Sequence, residues 1–320
     1  MPQNDWIAEA AGEDDALVGV LDCVIESVKE IAEAVERAPL LEMSPATTGA
    51  TTNASGDEVK ALDVVANDIL KSALLACPSV SLVASEEEED AVLSPHPSPA
   101  ARRLGVAFDP LDGSRNVECH IPVGTIFAVF ASPSSSHAAE ADLASGANVI
   151  AAGYALYSSS TVLVLSVGRG QGTAMFVLSR PSDGPAAPSL SRGRFLACAP
   201  PRVAIPPRGQ IYSVNDARYF DWPRGLQRWV DDSRRGLGPS GKQYSARYVC
   251  SLVADVVRSR APRPSIPFPS LPSLLFPSFR TWYADPPPPV PLFSSPILLS
   301  PFLTSPVCCS TARFCTGAWR

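Results

Sequence analysis

Several features are scarce in this chain, and each shortage excludes something. Its eight cysteines (Cys23, Cys77, Cys119, Cys198, Cys250, Cys308, Cys309 and Cys315) include no C-x-x-C pair, and three histidines give them no zinc-like spacing. They read as reduced thiols of a cytosol-like compartment rather than a disulfide framework. Positive charge is also short, with 26 Lys and Arg against 32 Asp and Glu, a net charge of −6 and a pI near 5.2. Such a chain lacks the basic face that nucleic-acid phosphates require, so no nucleic-acid partner is expected. No run of about eighteen apolar residues appears, so no membrane span is expected. The opening "MPQNDWIAEAAGEDDAL" has no basic n-region, apolar h-region or Arg-rich presequence. It points to the cytoplasm, with a plastid as the alternative if the N-terminus is incomplete. Glutamate and lysine also stop early, at Glu140 and Lys242.

What remains is a folding chain of 320 residues with 46% hydrophobic content, long enough for two domains. Leu17, Leu21, Val24, Val28, Ile31 and Val35 recur at spacings of three and four, which predicts an amphipathic helix broken by Pro39 and Pro45. A second helix is expected from the S-x-x-E capping pattern of Ser55 and Glu58. Val59, Leu62, Val65 or Ala66, Ile69 and Ala73 form its apolar face, with Asp57, Asp63 and Asp68 off that face. "VSLVA" (80–84) and "LGVAF" (104–108) read as buried strands. "PVGTIFAVFA", "AAGYALYSSSTVLVLSVGRG" and "GTAMFVLS" read as a meander.

The expected units are an N-terminal domain over 10–188, a Pro- and Gly-rich linker over 189–210 and the start of a C-terminal domain over 211–260. Residues 261–320 hold 14 of the 33 prolines, including "PPPP". That tract is expected to be disordered or collapsed, since each proline fixes φ and removes a donor.

Both early strands end in acid. "SEEEED" follows the first, and "FDPLDGSRN" (108–116) the second, offering Glu86, Glu87, Asp109 and Asp112. Four carboxylates within a few ångströms raise one another's pKa unless cations neutralise them. Magnesium does this with oxygen ligands, backbone carbonyls such as that of Leu111 included. Gly113 and Ser114 would form a tight turn with N–H groups facing an anion. The residues alone leave two readings open, a metal site or a solvated acidic rim.

"FDPLDGSRN", "PVGTIF", "SEE", "GDEVKALDVVAND", "AAGYALYSSS" and "GPSGKQYSARYVCSLVADV" together resemble the fructose-1,6-bisphosphatase family, in particular its plant and algal forms. The matches run in order from about residue 20 to 260. The D-P-x-D-G-[ST] element is shared with inositol monophosphatases and sedoheptulose bisphosphatase, but "IYSVN" and "YSARYV" favour the fructose enzyme. The resemblance implies a layered α/β/α/β/α sandwich with an incomplete C-terminal domain, and Mg2+-dependent hydrolysis, with Mn2+ as a substitute. It implies metal ligation by Glu86, Glu87, Asp109, Asp112 and the Leu111 carbonyl, and water activation by Asp63 with Glu87. Asp57 falls at a supporting acidic position. The sugar and 1-phosphate would meet Asp112, Gly113 and Ser114, and the 6-phosphate Asn215, Arg247 and Tyr248. In the family this arginine comes from a neighbouring subunit, which implies a homo-oligomer, a tetramer in the family.

The chain also departs from the pattern. Arg115 stands where the family has a small Ser. After Arg260 the family continues with a glycine-containing strand, a phosphate-binding lysine and a metal-binding glutamate, none of which follows here. Residues 261–320 are therefore expected to be translated non-coding sequence such as a retained intron, and this chain to hydrolyse the bisphosphate poorly or not at all, the alternative being a catalytically dead truncated paralogue that binds sugar phosphate or intact subunits. Cys119 and Cys250 read as packing residues. Residues 131–148 carry no cysteine and "APLLEMSPATTGATT" no recognisable AMP loop, so neither thioredoxin nor AMP control is expected.

Overall fold

The structure, a computed structural model, describes residues 1–41, 61–95, 103–131, 146–168, 170, 172–180, 193–203, 209, 211–238 and 240–259. Asp57, the capping pattern at Ser55 and Glu58, and residues 261–320 lie outside the described residues, as does most of both segments weighed for AMP and thioredoxin control.

The expected first helix is α2, Asp15–Leu41, preceded by α1, Gln3–Ala11. Leu17, Leu21, Val24, Val28 and Ile31 are all buried, as the stripe requires. Asp14 Oδ1 accepts from Leu17 N at 3.2 Å and caps the start. The helix passes through Pro39 rather than stopping before it. Two residues from the end, a proline removes one hydrogen bond and leaves the preceding turns intact.

Helix α1 had no signal long enough to show periodicity. It is held by Trp6, edge-on to Phe176 at 5.7 Å, and by Ala197 N donating to Met1 O at 2.9 Å. Helix α3 is described over Ala61–Ala76. It buries Leu62, Ala66, Leu70 and Leu74; of the two alternatives Val65 and Ala66, Ala66 is the one on the apolar face, Val65 being 42% exposed.

Eight strands form one sheet in the order β2-β1-β3-β4-β5-β6-β7-β8. They are β1 Val80–Ser85, β2 Val92–Leu93, β3 Leu104–Asp112, β4 Val123–Ala131, β5 Val149–Tyr157, β6 Thr161–Val167, β7 Thr173–Ser179 and β8 Arg194–Arg202. The meander from β4 to β7 is antiparallel throughout. Side chains alternate between faces: Val123, Phe127 and Val129 join the core under α1, α2 and α3, whereas Ile126, Ala128 and Phe130 join a second cluster. Burial on both faces explains why these strands read as unbroken apolar runs.

Strand β8 occupies part of the stretch expected as a linker. It pairs with β7, with a register shift that accommodates the bulge holding Pro200 and Pro201.

The C-terminal stretch is smaller in scale. Strand β9, Ile211–Tyr212, lies parallel to β10, Ser245–Ala246. Helix α4, Arg224–Arg235, lies between them in sequence, and α5, Leu252–Ser259, closes the described chain. Val253 and Val256 of α5 pack with Ile126, Ala128 and Tyr154 on the face opposite α2. Cys119 and Cys250 are exposed rather than packed. Both sit beside or at left-handed backbone, His120 with φ of 55° and Cys250 with φ of 55°, which turns the chain outward.

Candidate active site

Within the large sheet, β1 and β3 are the pair that run parallel, in register Ser85 opposite Phe108. Parallel neighbours release their C-terminal ends at one edge, where α/β sheets bind ligands. Glu86 N donates to Phe108 O at 3.0 Å, so Glu86 and Asp109 leave adjacent strands side by side. The second strand does not end at the expected turn. It continues through "DPLD" with an irregular register between Asp109 and Asp112, which pairs with Gly124. Thr125 Oγ1 donates to Pro110 O at 2.8 Å and lies 2.7 Å from Tyr157 Oη, so buried hydroxyls buttress the turn.

Glu86, Asp109 and Asp112 are 7%, 4% and 4% exposed, and Glu87 is half-buried. Burial, then the charges of Glu86, Asp112 and Glu87, push the Asp109 carboxyl well above the usual carboxylate range, against a hydrogen bond from Leu111 N to its Oδ1 at 3.0 Å. Asp109 Oδ2 is buried with no hydrogen-bond partner. An uncompensated buried carboxylate oxygen costs free energy that a bound cation recovers.

Asp112 is tied to the C-terminal stretch. Its Oδ2 accepts from Ser251 Oγ at 2.9 Å and Val253 N at 2.8 Å, at the start of α5. Burial still raises its carboxyl above the ordinary value, with these hydrogen bonds opposing. Asn116 Nδ2 donates to Val249 O at 2.7 Å. Gly113 has φ of 78°, and a Cβ there would meet Cys250 O at 2.9 Å, so only glycine lets the two segments approach. Ser114 is half-buried and opens a 3-10 turn, and Arg115 projects outward as an exposed residue.

Asp63 lies in the first turn of α3, which packs on β1 and β3. It lies off the apolar face as expected and is nevertheless 2% exposed, because it flanks the buried row beginning at Leu62 and Ala66. Buried oxygens include Asp63 Oδ1 and Glu87 Oε2.

The other expected substrate residues follow the strands of the parallel pair in sequence, Asn215 after β9 and Arg247 and Tyr248 after β10. Asn215 is half-buried, and its Oδ1 accepts from Ala217 N at 3.2 Å as a cap. Arg247 is exposed and donates from Nη1 to Ala246 O at 2.7 Å. Tyr248 is 41% exposed, with its hydroxyl 3.4 Å from Cys250 Sγ. Leu111 is buried within the bulged turn.

Among the described residues, no three His, Cys, Asp or Glu side chains already enclose a metal position. The donor set nevertheless fits a hard cation: it consists of carboxylates, it is buried, and it holds the partnerless Asp109 oxygen.

This sheet with helices against it has the sugar-phosphatase α/β fold, the fold of a hydrolase. The fructose-1-6-bisphosphatase N-terminal domain family matches residues 2–184, and the corresponding C-terminal domain family residues 205–261. Fructose-1,6-bisphosphatase class 1 of Azorhizobium caulinodans is 37% identical over 262 residues, 80% of this chain and 73% of the relative. Fructose-1,6-bisphosphatase isozyme 2 of Mus musculus is 36% identical over 258 residues, 79% and 68% of the two chains. The holo crystal structure of Leishmania major fructose-1,6-bisphosphatase superposes with a TM-score of 0.67 at 30% identity, covering 81% of this chain and 75% of that one. The chain belongs to the fructose-1,6-bisphosphatase family. No helix among the described residues is long and apolar enough to cross a membrane.

Proposed function

We propose that the acidic edge of the sheet hydrolyses the 1-phosphate of fructose 1,6-bisphosphate, giving fructose 6-phosphate and phosphate. The observation that carries the reading is the buried convergence of Glu86, Glu87 and Asp112 on Asp109, at the C-terminal ends of two parallel strands. Glu86, Glu87, Asp109, Asp112 and the Leu111 carbonyl would hold Mg2+, with Mn2+ as a substitute. When bound, the ion neutralises the carboxylates, polarises the phosphoryl oxygens and lowers the pKa of a water.

Asp63 with Glu87 takes the proton from the attacking water, and Asp57 supports this acidic end. Asp112, Gly113 and Ser114 orient the sugar and its 1-phosphate. Asn215, Arg247 and Tyr248 hold the 6-phosphate, with Arg247 reaching into a neighbouring subunit of a homo-oligomer, a tetramer. On a division into units at 10–188 and 211–260, the carboxylates belong to the first and these anion-binding groups to the second, while β8 within the expected junction at 189–210 pairs with β7 and extends the first unit.

Turnover by this chain is weak, because no glutamate follows Glu140 and no lysine follows Lys242. Loss of one metal ligand and one phosphate cation removes several kcal/mol of transition-state stabilisation, each ~1.4 kcal/mol being tenfold in rate. The test is phosphate release by the 320-residue chain from fructose 1,6-bisphosphate, sedoheptulose 1,7-bisphosphate and inositol monophosphate, with Mg2+ and with EDTA. The expected result is slow, EDTA-sensitive release that prefers the fructose ester. No metal-dependent release sinks the catalytic reading, preference for another ester sinks the substrate, and a rate typical of enzymes sinks the impairment.

A further inference from the structure

Five acidic residues follow β1 in sequence, Glu86 to Asp90, and the fold sorts them. Glu86 and Glu87 act electrostatically on Asp109, and Glu89 and Asp90 are exposed. Glu88 turns the other way, onto α3. Lys71 Nζ donates to its Oε1 at 2.7 Å and its Oε2 at 2.8 Å, and Asn67 Nδ2 donates to Oε1 at 2.9 Å. Asn67 Oδ1 in turn accepts from Ser85 Oγ at 2.6 Å, and Ser85 Oγ accepts from Glu87 N at 3.2 Å. A continuous chain of hydrogen bonds thus runs from the α3 surface into the backbone of Glu87.

Asp63, Asn67 and Lys71 lie at i, i+4 and i+8, one face of one helix. That face therefore carries a buried carboxylate at one end and the grip on the Glu86–Glu87 loop over the next two turns. Asn67 and Ser85 are both 8% exposed, so the inner part of the chain is shielded from competing water. Lys71 and Glu88 close it as a charge-assisted, two-pronged contact.

We infer that Lys71, Glu88, Asn67 and Ser85 are positioning residues that fix Glu87 on its loop relative to Asp63 on α3. The inference rests on the reading that Asp63 and Glu87 act together on the attacking water. None of the four touches the reacting atoms. They set the separation of two groups carried by different elements, where a displacement near 1 Å costs on the order of a hundredfold in rate.

Lys71→Met and Glu88→Gln are the variants of choice, since both side chains are about a quarter to a third exposed, at 30% and 26%. Each should lower kcat about tenfold while KM for the bisphosphate stays within about twofold, and raise the Mg2+ concentration for half-maximal activity. The double variant should lose no more than either single one, and Lys71→Arg should recover most of kcat. Unchanged kcat, multiplied losses in the double variant, or equal changes in kcat and KM alongside a lowered melting temperature would overturn the inference. Calorimetric titration with Mg2+ alone separates this from failure of the catalytic reading. If the parent chain binds Mg2+ but releases no phosphate, weaker binding by Glu88→Gln still supports the positioning role, and unchanged binding overturns it.

Discussion

Asp109 and Arg247 mark two different ways of presenting charge. Asp109 is 4% exposed, on a nine-residue strand paired on both sides and buttressed by Thr125 and Tyr157. Arg247 is exposed and follows a two-residue strand. The first group is held where burial makes its charge costly, and the second where water screens it cheaply. Buried like charges store electrostatic work that a cation releases. An exposed guanidinium on short elements gains strength only when a ligand or a second surface excludes the water around it.

The sharpest break of this contrast is Asp109→Asn. It should lower kcat by roughly 10^2–10^3-fold, read by steady-state phosphate release, because it removes a charged ligand of the proposed metal site. The same variant should be more stable without metal. The native Asp109 carboxyl titrates above its unfolded value, so the stability linked to it is complete below about pH 4 and drains away as pH rises through the raised native value. Metal-free melting curves should therefore fall with rising pH more steeply for the parent than for the variant, and Mg2+ should restore the parent.

Arg247→Ala tests the exposed side. KM should rise about 10- to 100-fold with kcat nearly unchanged, as expected for a hydrogen-bonded phosphate charge lost from both ground and transition states. An unchanged KM would detach Arg247 from the substrate.

Gly113→Ala probes the seam joining the two regions. Its φ of 78° and the approach to Cys250 O should cost about 1–3 kcal/mol in denaturant unfolding and loosen Ser251 and Val253 from Asp112. The smallest effect expected is that of Thr125→Val, about 1–2 kcal/mol, from leaving Pro110 O and the Tyr157 hydroxyl without their shared partner. Equal stability of parent and variant would show that the buttress is dispensable.

Much of this was legible residue by residue. The stripe from Leu17 to Ile31, the strands at Val80 and Leu104 and the meander were readable because local periodicity reports which face is buried. Glu86 and Asp109 were readable as strand-end acids. The burial of Asp63 was not readable from periodicity, because helix period cannot separate a flank that meets solvent from one that meets a sheet. The short α1 and the strand at Arg194–Arg202 escaped because their stability comes from partners: Phe176 for the one and β7 for the other.

By itself, the sequence determined which residues could serve: four carboxylates after two apolar strands, a glycine in the "DPLDGS" turn and an arginine in "YSARYV". It determined them because side-chain chemistry and strand or helix period are local properties. Only the tertiary structure decided which acids act on one another. Parallel pairing of β1 with β3 set Glu86 beside Asp109, α3 drew Glu88 aside through Lys71 and Asn67, and α5 brought Ser251 and Val253 to Asp112. Electrostatic coupling depends on distance and burial through space, and these are fixed by which strands pair and which helix packs where.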